Sequence, residues 1–308
     1  AKSVENGNIQ AAQESESETA TESESEAETE LPDQKLEGWV PTDAGMKYYL
    51  DNTAVVGEKK IDGAWYYFNT DGMMVTGWTV QEGKPEKQYY YDVDGKMHYG
   101  WLTVDGKNYY FHERTGVMMK SCEKKINGKY YYFAADGVMA TGWTVQEARP
   151  DKRYYYDADG TMCYGEKKID GHWYYFHERS GIMMTGWINH HNHTYYYNTD
   201  GAMYYGEKKE NGHWYYFHER TGVMTTGWAK HHGHTYYYNT DGTMYYGEKK
   251  ISGAWYYFHE RTGVMATGWT KHHSKQYYYA ANGRMCYGLQ NIDGVRYYFH
   301  PTSGVYQW

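Results

Sequence analysis

An aromatic block returns at near-constant intervals along most of this 308-residue chain, and that regularity limits the available folds more than any other feature. Gly165, Gly186, Gly206, Gly227, Gly247, Gly268 and Gly288 each open a repeat, with steps that alternate between about 20 and about 21 residues, the period range of solenoids and arrays. Two flavours alternate. One reads Gly206-Glu207-Lys208-Lys209 and then Trp214-Tyr215-Tyr216-Phe217; the other reads Gly186-Trp187 and then Tyr195-Tyr196-Tyr197. The full structural period is then a pair of about 41 residues.

Each repeat carries the marks of one β-hairpin. Asp170-Gly171 separates Ile169 from the run His172-Trp173-Tyr174-Tyr175-Phe176, and Asp62-Gly63, Asn127-Gly128, Asn211-Gly212 and Asp293-Gly294 hold the same place elsewhere. Such pairs supply the two positive-φ residues of a type I′ turn. A second turn closes the other repeats at Asp94-Gly95, Asp159-Gly160, Asp200-Gly201 and Asp241-Gly242. Repeats 77–99 and 142–164 carry three-residue insertions, placed in longer hairpin tips. A lone hairpin is marginal in water, so each must pack on its neighbour. The fold class expected is all-β: an elongated β-solenoid of stacked short β-hairpins.

Composition fits that expectation. There are 40 Tyr and 12 Trp against 7 Phe, and the mean hydropathy is −0.95. Without a thick aliphatic core, ring faces must be buried locally, repeat against repeat. No apolar run is long enough to span a bilayer. Residues 1–36 hold ten acids and two lysines, which accounts for the whole net charge of −8 and leaves 29 acids and 29 bases for the rest. A neutral aromatic array argues against nucleic acid and suits uncharged sugars or small cations.

Residues 1–36 contain Glu14-Ser15-Glu16-Ser17-Glu18 and no aromatic residue, and are read as a disordered acidic tail or linker. Residues 37–308 form the repeat array. The chain opens on Ala1 with no apolar leader; a mature secreted protein and an expression product both fit, and an extracellular protein is the expectation. Cys163 and Cys286 share one slot of the repeat and Cys122 replaces an opening glycine; all three are read as unpaired packing residues.

Gly-Trp, an aromatic triplet and then Gly-x-Met, as in Gly186-Trp187, Tyr195-Tyr196-Tyr197 and Gly201-Ala202-Met203, resemble the choline-binding and glucan-binding cell-wall repeats of Gram-positive surface proteins, autolysins, phage lysins and glucansucrases. The resemblance spans about residues 38–308. It implies ligand sites between consecutive hairpins, each a cage of three rings with a methionine. Carried onto this sequence, it gives Trp187, Tyr195 and Tyr215 with Met203; Trp228, Tyr236 and Tyr256 with Met244; Trp269, Tyr277 and Tyr298 with Met285; and Trp143, Tyr154 and Tyr175 with Met162. Every second repeat has Glu166, Glu207 or Glu248 in place of the tryptophan, so one competent groove per pair of repeats is expected.

Other chemistry is weighed against a structural role. His190, His191 and His193, with His231, His232 and His234 and with His272-His273, cluster in hairpin tips. Adjacent residues of a strand point to opposite faces, so these are read as solvated tip residues, with no metal expected. The turns His177-Glu178-Arg179, His218-Glu219-Arg220 and His259-Glu260-Arg261 recur, whereas a catalytic constellation converges once; they are read as surface ion pairs. No enzyme activity and no cofactor are expected. The expected function is that of a secreted, non-catalytic module binding choline-bearing teichoic acid on a bacterial surface multivalently. The alternatives are a module for glucan or another cell-wall polysaccharide, and an adhesin for a host glycan or protein.

Overall fold

The computed structural model describes residues 35–308, so the reading of the acidic segment lies almost wholly outside the described residues. Among the described residues every regular element is a β-strand. They form twelve two-stranded sheets and one three-stranded sheet, the latter from Gly38–Thr42, Gly45–Leu50 and Thr53–Ala54. No helix is long and apolar enough to cross a membrane. This is the expected all-β, solenoid-type array of hairpins.

The turn chemistry sets the hairpins. Asn211 and Gly212 stand at φ 49° and 83°, both in the left-handed region that a type I′ turn requires. That two-residue turn fixes the register of Gly206–Glu210 on His213–Phe217, pairing Glu207 with Tyr216 and Lys208 with Tyr215. In the neighbouring flavour, Trp187 pairs with Tyr196 and Ile188 with Tyr195. Gly142–Gln146 and Arg149–Tyr156 carry the inserted residues beside their tip, with a bulge between Val145 and Gln146.

Two compact parts are distinguished, one of residues 35–86 with Tyr90–Met97 and one of Lys87–Tyr89 with His98–Trp308. In the first, Ile61, Tyr66 and Phe68 form the core with Trp39 and Tyr48 packed against it. In the second, the same packing rule repeats many times. The last ring of each aromatic run, Tyr156, Phe176, Tyr197, Phe217, Tyr238, Phe258 and Tyr279, is fully buried.

Methionine fastens one repeat to the next. Met203 bridges Tyr197 in its own repeat, its backbone N–H donates to the carbonyl of Trp173 one repeat back at 2.8 Å, and its sulfur lies under Gly222 one repeat ahead. A Cβ placed on Gly222 would stand 2.3 Å from Met203 Sδ, and on Gly201 2.3 Å from Met183 Sδ. Glycine is therefore required there for close approach as well as for its positive φ. The Gly-x-Met element is in the first place a staple.

The three cysteines are unpaired, as expected. Burial, first, and the charge of Asp157 push the Cys163 thiol up to about 12, which makes it an inert packing group. The His-Glu-Arg turns are structural but not ion pairs: no Glu178–Arg179 pair forms among the described residues. Glu178 instead accepts a hydrogen bond from Tyr175 Oη at 3.2 Å, and His177 Nδ1 accepts from the backbone of Arg179 and Ser180.

Candidate ligand-binding grooves

Two kinds of groove alternate because each hairpin lays one face on the opposite face of the next. Cross-strand partners share a face, so Trp187 and Tyr196 look one way while Ile188, His190, Tyr195 and Tyr197 look the other. Trp187 meets Tyr196 at 5.3 Å and, in the next hairpin, Tyr215 at 4.8 Å and Phe217 at 5.5 Å. Tyr195 and Met203 lie on the other side, in one cluster with Tyr175 and Tyr197.

The four expected cages are therefore split. Trp187 with Tyr215 and Trp228 with Tyr256 are brought together, the latter at 4.9 Å. Tyr195 with Met203, Tyr236 with Met244 and Tyr277 with Met285 line different cavities, each reached from the opposite face. Trp269 meets Tyr297 at 5.0 Å, while Tyr298 stacks on Trp308. Trp143 meets Tyr155 and Tyr174; Tyr154 and Met162 pack with Tyr132 and Tyr156, and Tyr175 stacks on His190. The cause is one residue of register: the eighth residue after the tryptophan is on the wrong face, and the ninth is its cross-strand partner.

Three of the tryptophan grooves, those of Trp143, Trp187 and Trp228, already hold a cation of the protein's own. Lys208 Nζ lies 4.2 Å above the Tyr196 ring and 5.2 Å from that of Tyr204; Lys249 lies 5.3 Å and 4.2 Å from Tyr237 and Tyr245. Arg153 covers Trp143 at 4.5 Å, and Tyr306 packs on Trp269 at 5.3 Å. Where Cys163 stands in the place of Tyr204, Lys167 pairs with Asp157 and lies further from the ring, 5.9 Å from that of Tyr155.

The glutamate grooves hold open cavities with a full set of walls, contrary to the expectation that they lack one. Glu207, Trp214, Tyr236, Met244 and Tyr246 line a cavity of about 210 Å³, completed by Arg261 and Thr262. Glu166, Trp173, Tyr195, Met203 and Tyr205 line its equivalent of about 210 Å³ with Arg220 and Thr221. Glu248, Trp255, Tyr277, Met285 and Tyr287 line a third of about 260 Å³, where Thr302 and Ser303 stand in place of the arginine pair. The missing wall is supplied by the tryptophan of the Trp-Tyr-Tyr-Phe run. Burial first, then the glutamate charge, raises the pKa of Tyr236 and Tyr246, so the carboxylate field is felt at the rings.

Segments 55–86, 85–122, 123–160, 150–185, 184–226, 225–267 and 266–306 each match the choline-binding repeat. The chain belongs to the choline-binding repeat family. Among solved structures it is similar to CbpJ from Streptococcus pneumoniae TIGR4, at 26% identity and a TM-score of 0.55 over 87% of this chain and 99% of that one. Choline binding protein F from the same species matches at 25% identity and a TM-score of 0.53, over 88% and 98%. The modular autolysin LytC of that species, solved with a synthetic peptidoglycan ligand, shares the fold at 23% identity and a TM-score of 0.51, over 73% of this chain and 51% of its own. None of the curated proteins matches the sequence.

In these choline-binding repeats the expected cages left out Trp173, Trp214 and Trp255 and the tyrosines Tyr205, Tyr246 and Tyr287, and read the glutamates as a missing wall. Face parity was the signal: counting outward from the turn puts Trp214 beside Glu207 on one face.

Proposed function

We propose that residues 37–308 are a non-catalytic cell-wall-binding array whose glutamate grooves hold choline-like groups of teichoic acid on a bacterial surface. The observation that carries this reading is a cavity built three times from one carboxylate, one tryptophan, two tyrosines and one methionine. A quaternary ammonium offers no strong hydrogen bond, so ring faces and a counter-charge are the groups that recognise it. The lysines seated over Tyr196 and Tyr245 support the reading from inside the molecule, since they place an ammonium over the same kind of ring at 4.2 Å. Membership of the choline-binding repeats supports it from outside, as does the solution of choline binding protein F in the presence of a peptidoglycan analogue.

Each groove contributes a weak contact, and linkage along one chain raises the whole. An extracellular place follows from such a ligand. The test is retention on choline resin, dextran and purified cell walls. Binding to choline resin and cell walls, with release by free choline, is the expected result; retention by dextran alone moves the reading to glucan, and retention by none moves it to a host surface.

A further inference from the structure

Three histidine pairs in the second compact part are arranged as metal ligands, although adjacency in sequence argues against it. His190 ends its strand, but His191 is the first turn residue at φ 49°, and this left-handed step swings its ring back towards its neighbour. His190 Nδ1 and His191 Nδ1 stand 3.3 Å apart; the equivalent separations are 3.3 Å for His231 and His232 and 3.4 Å for His272 and His273. Two nitrogens bound tetrahedrally at about 2.0–2.1 Å from one zinc ion are separated by about 3.3–3.4 Å. A glutamate of the preceding hairpin closes each group. Glu166 stands 3.7 Å from His190 Nε2 and 4.0 Å from His191 Nδ1, Glu207 is 3.7 Å from His231 Nδ1, and Glu248 is 3.9 Å from His272 Nε2. The candidate ligand atoms of each group all lie within 4.8 Å of one another.

The buried member of each pair is held as a ligating imidazole would be. His190 is sandwiched between Tyr175 and Tyr195 at 4.4 and 4.1 Å with nearly parallel rings, and the His231 and His272 stacks repeat this. Its Nε2 faces the buried Tyr197 hydroxyl at 3.1 Å, as His231 faces Tyr238 and His272 faces Tyr279. Two other repeats show what that contact is for. There Gln81 and Gln146 occupy the histidine place, and their amide groups donate to Tyr91 Oη and Tyr156 Oη and to Glu58 and Glu123. By the same pattern the histidine Nε2–H donates to tyrosine, which leaves the Nδ1 lone pair directed at the second imidazole; an outer hydrogen bond of this kind fixes tautomer and ring orientation at metal sites. The second imidazole is exposed, and a cavity of about 410 Å³ beside His190 and His191 gives entry.

We propose that Glu166/His190/His191, Glu207/His231/His232 and Glu248/His272/His273 are three equivalent sites for a borderline divalent transition metal such as Zn²⁺, each with two imidazoles, one carboxylate and a place for solvent. The ligand set suits zinc and not the hard cations Ca²⁺ and Mg²⁺, which take oxygen ligands.

The chain supplies its own control. Glutamine is the residue that fills this place in two sister repeats, so His190→Gln, His231→Gln and His272→Gln preserve the Tyr and Glu hydrogen bonds and delete one ligand each. Equilibrium dialysis of the full chain against Zn²⁺ near neutral pH, with folding checked by circular dichroism, is expected to give three bound ions. Each single variant should lose one and the triple variant all three, and Ca²⁺ should give none. A saturating count other than three in the wild type, or a count that the triple variant keeps, overturns the proposal. Choline titration of the same proteins separates this inference from the functional reading. The triple variant retains the groove glutamate, tryptophan and tyrosines, so choline binding survives loss of zinc, and absence of choline binding leaves the zinc count unchanged.

Discussion

One position explains why some aromatic runs end in tyrosine and others in phenylalanine. Where His or Gln stands at the end of the first strand or, for Gln81, just beyond it, the fully buried ring is Tyr91, Tyr156, Tyr197, Tyr238 or Tyr279, and its hydroxyl has a partner. Where it ends in Ile61, Ile126, Ile169 or Ile251, the ring is Phe68, Phe133, Phe176 or Phe258. A buried hydroxyl without a partner costs about 1–3 kcal/mol, so His231→Leu should destabilise by roughly that amount in thermal melting, and a Tyr238→Phe change in the same chain should recover part of it. The same histidines make stability depend on pH. Burial, with His273 and His259 nearby, lowers the His272 pKa from 6.5 to about 4. The unfolded chain then takes up the proton more readily, so this contribution is complete above pH 6.5, declines as pH falls through the window down to about 4, and is on the order of 3 kcal/mol. Melting temperature should drop across that window, and His272→Gln should flatten the drop; an unchanged profile would show that the buried imidazole does not titrate as described.

At the scale of the hairpin, face parity decides what each residue touches. The alternating period, the Asp-Gly turns and the stacked-hairpin class were all legible in the sequence, because turn chemistry is local and repetition averages out noise. The grooves were legible only in part. Trp187 and Tyr215 do meet, but Tyr195, which the resemblance set beside them, lies on the opposite face, as cross-strand register requires. The Lys208 side chain over Tyr196 was beyond such reasoning, since nothing in a repeat motif says which cation a ring will meet. The tip histidines were read as solvated, yet His190, His231 and His272 are buried; alternation holds within a strand, and the left-handed turn residue that follows sets the second ring back against the first. The grooves also differ among themselves. Arg220 and Arg261 line the cavities of Glu166 and Glu207, whereas Thr302 and Ser303 line that of Glu248. A guanidinium opposes a bound cation, so Arg261→Thr should tighten choline at the Glu207 groove by a few-fold at low salt, an effect that salt reduces; calorimetric titration reads it directly. At the same scale, Gly201→Ala forces a Cβ to within 2.3 Å of Met183 Sδ at a φ of 89°. It should lower stability by roughly 1–3 kcal/mol in thermal unfolding.

Under the proposed function the three glutamate grooves act as one attachment surface. Linked weak sites gain avidity steeply with number, so removal of two grooves should lower retention on a choline-bearing surface by far more than it lowers the count of free choline bound in solution. The central question is which groove takes the cation. Calorimetric titration of choline into wild type, Trp214→Ala and Trp228→Ala, each confirmed folded by thermal melting, decides it. Trp214 walls an open glutamate groove, while Trp228 packs against Tyr237, Tyr256 and Phe258 in a groove where Lys249 already lies over the Tyr237 and Tyr245 rings. Loss of a ring face from a cation cage costs about 1–2 kcal/mol, so Trp214→Ala should weaken one site about tenfold and Trp228→Ala should leave every site intact. The reverse result, one site lost with Trp228→Ala and none with Trp214→Ala, would contradict the assignment.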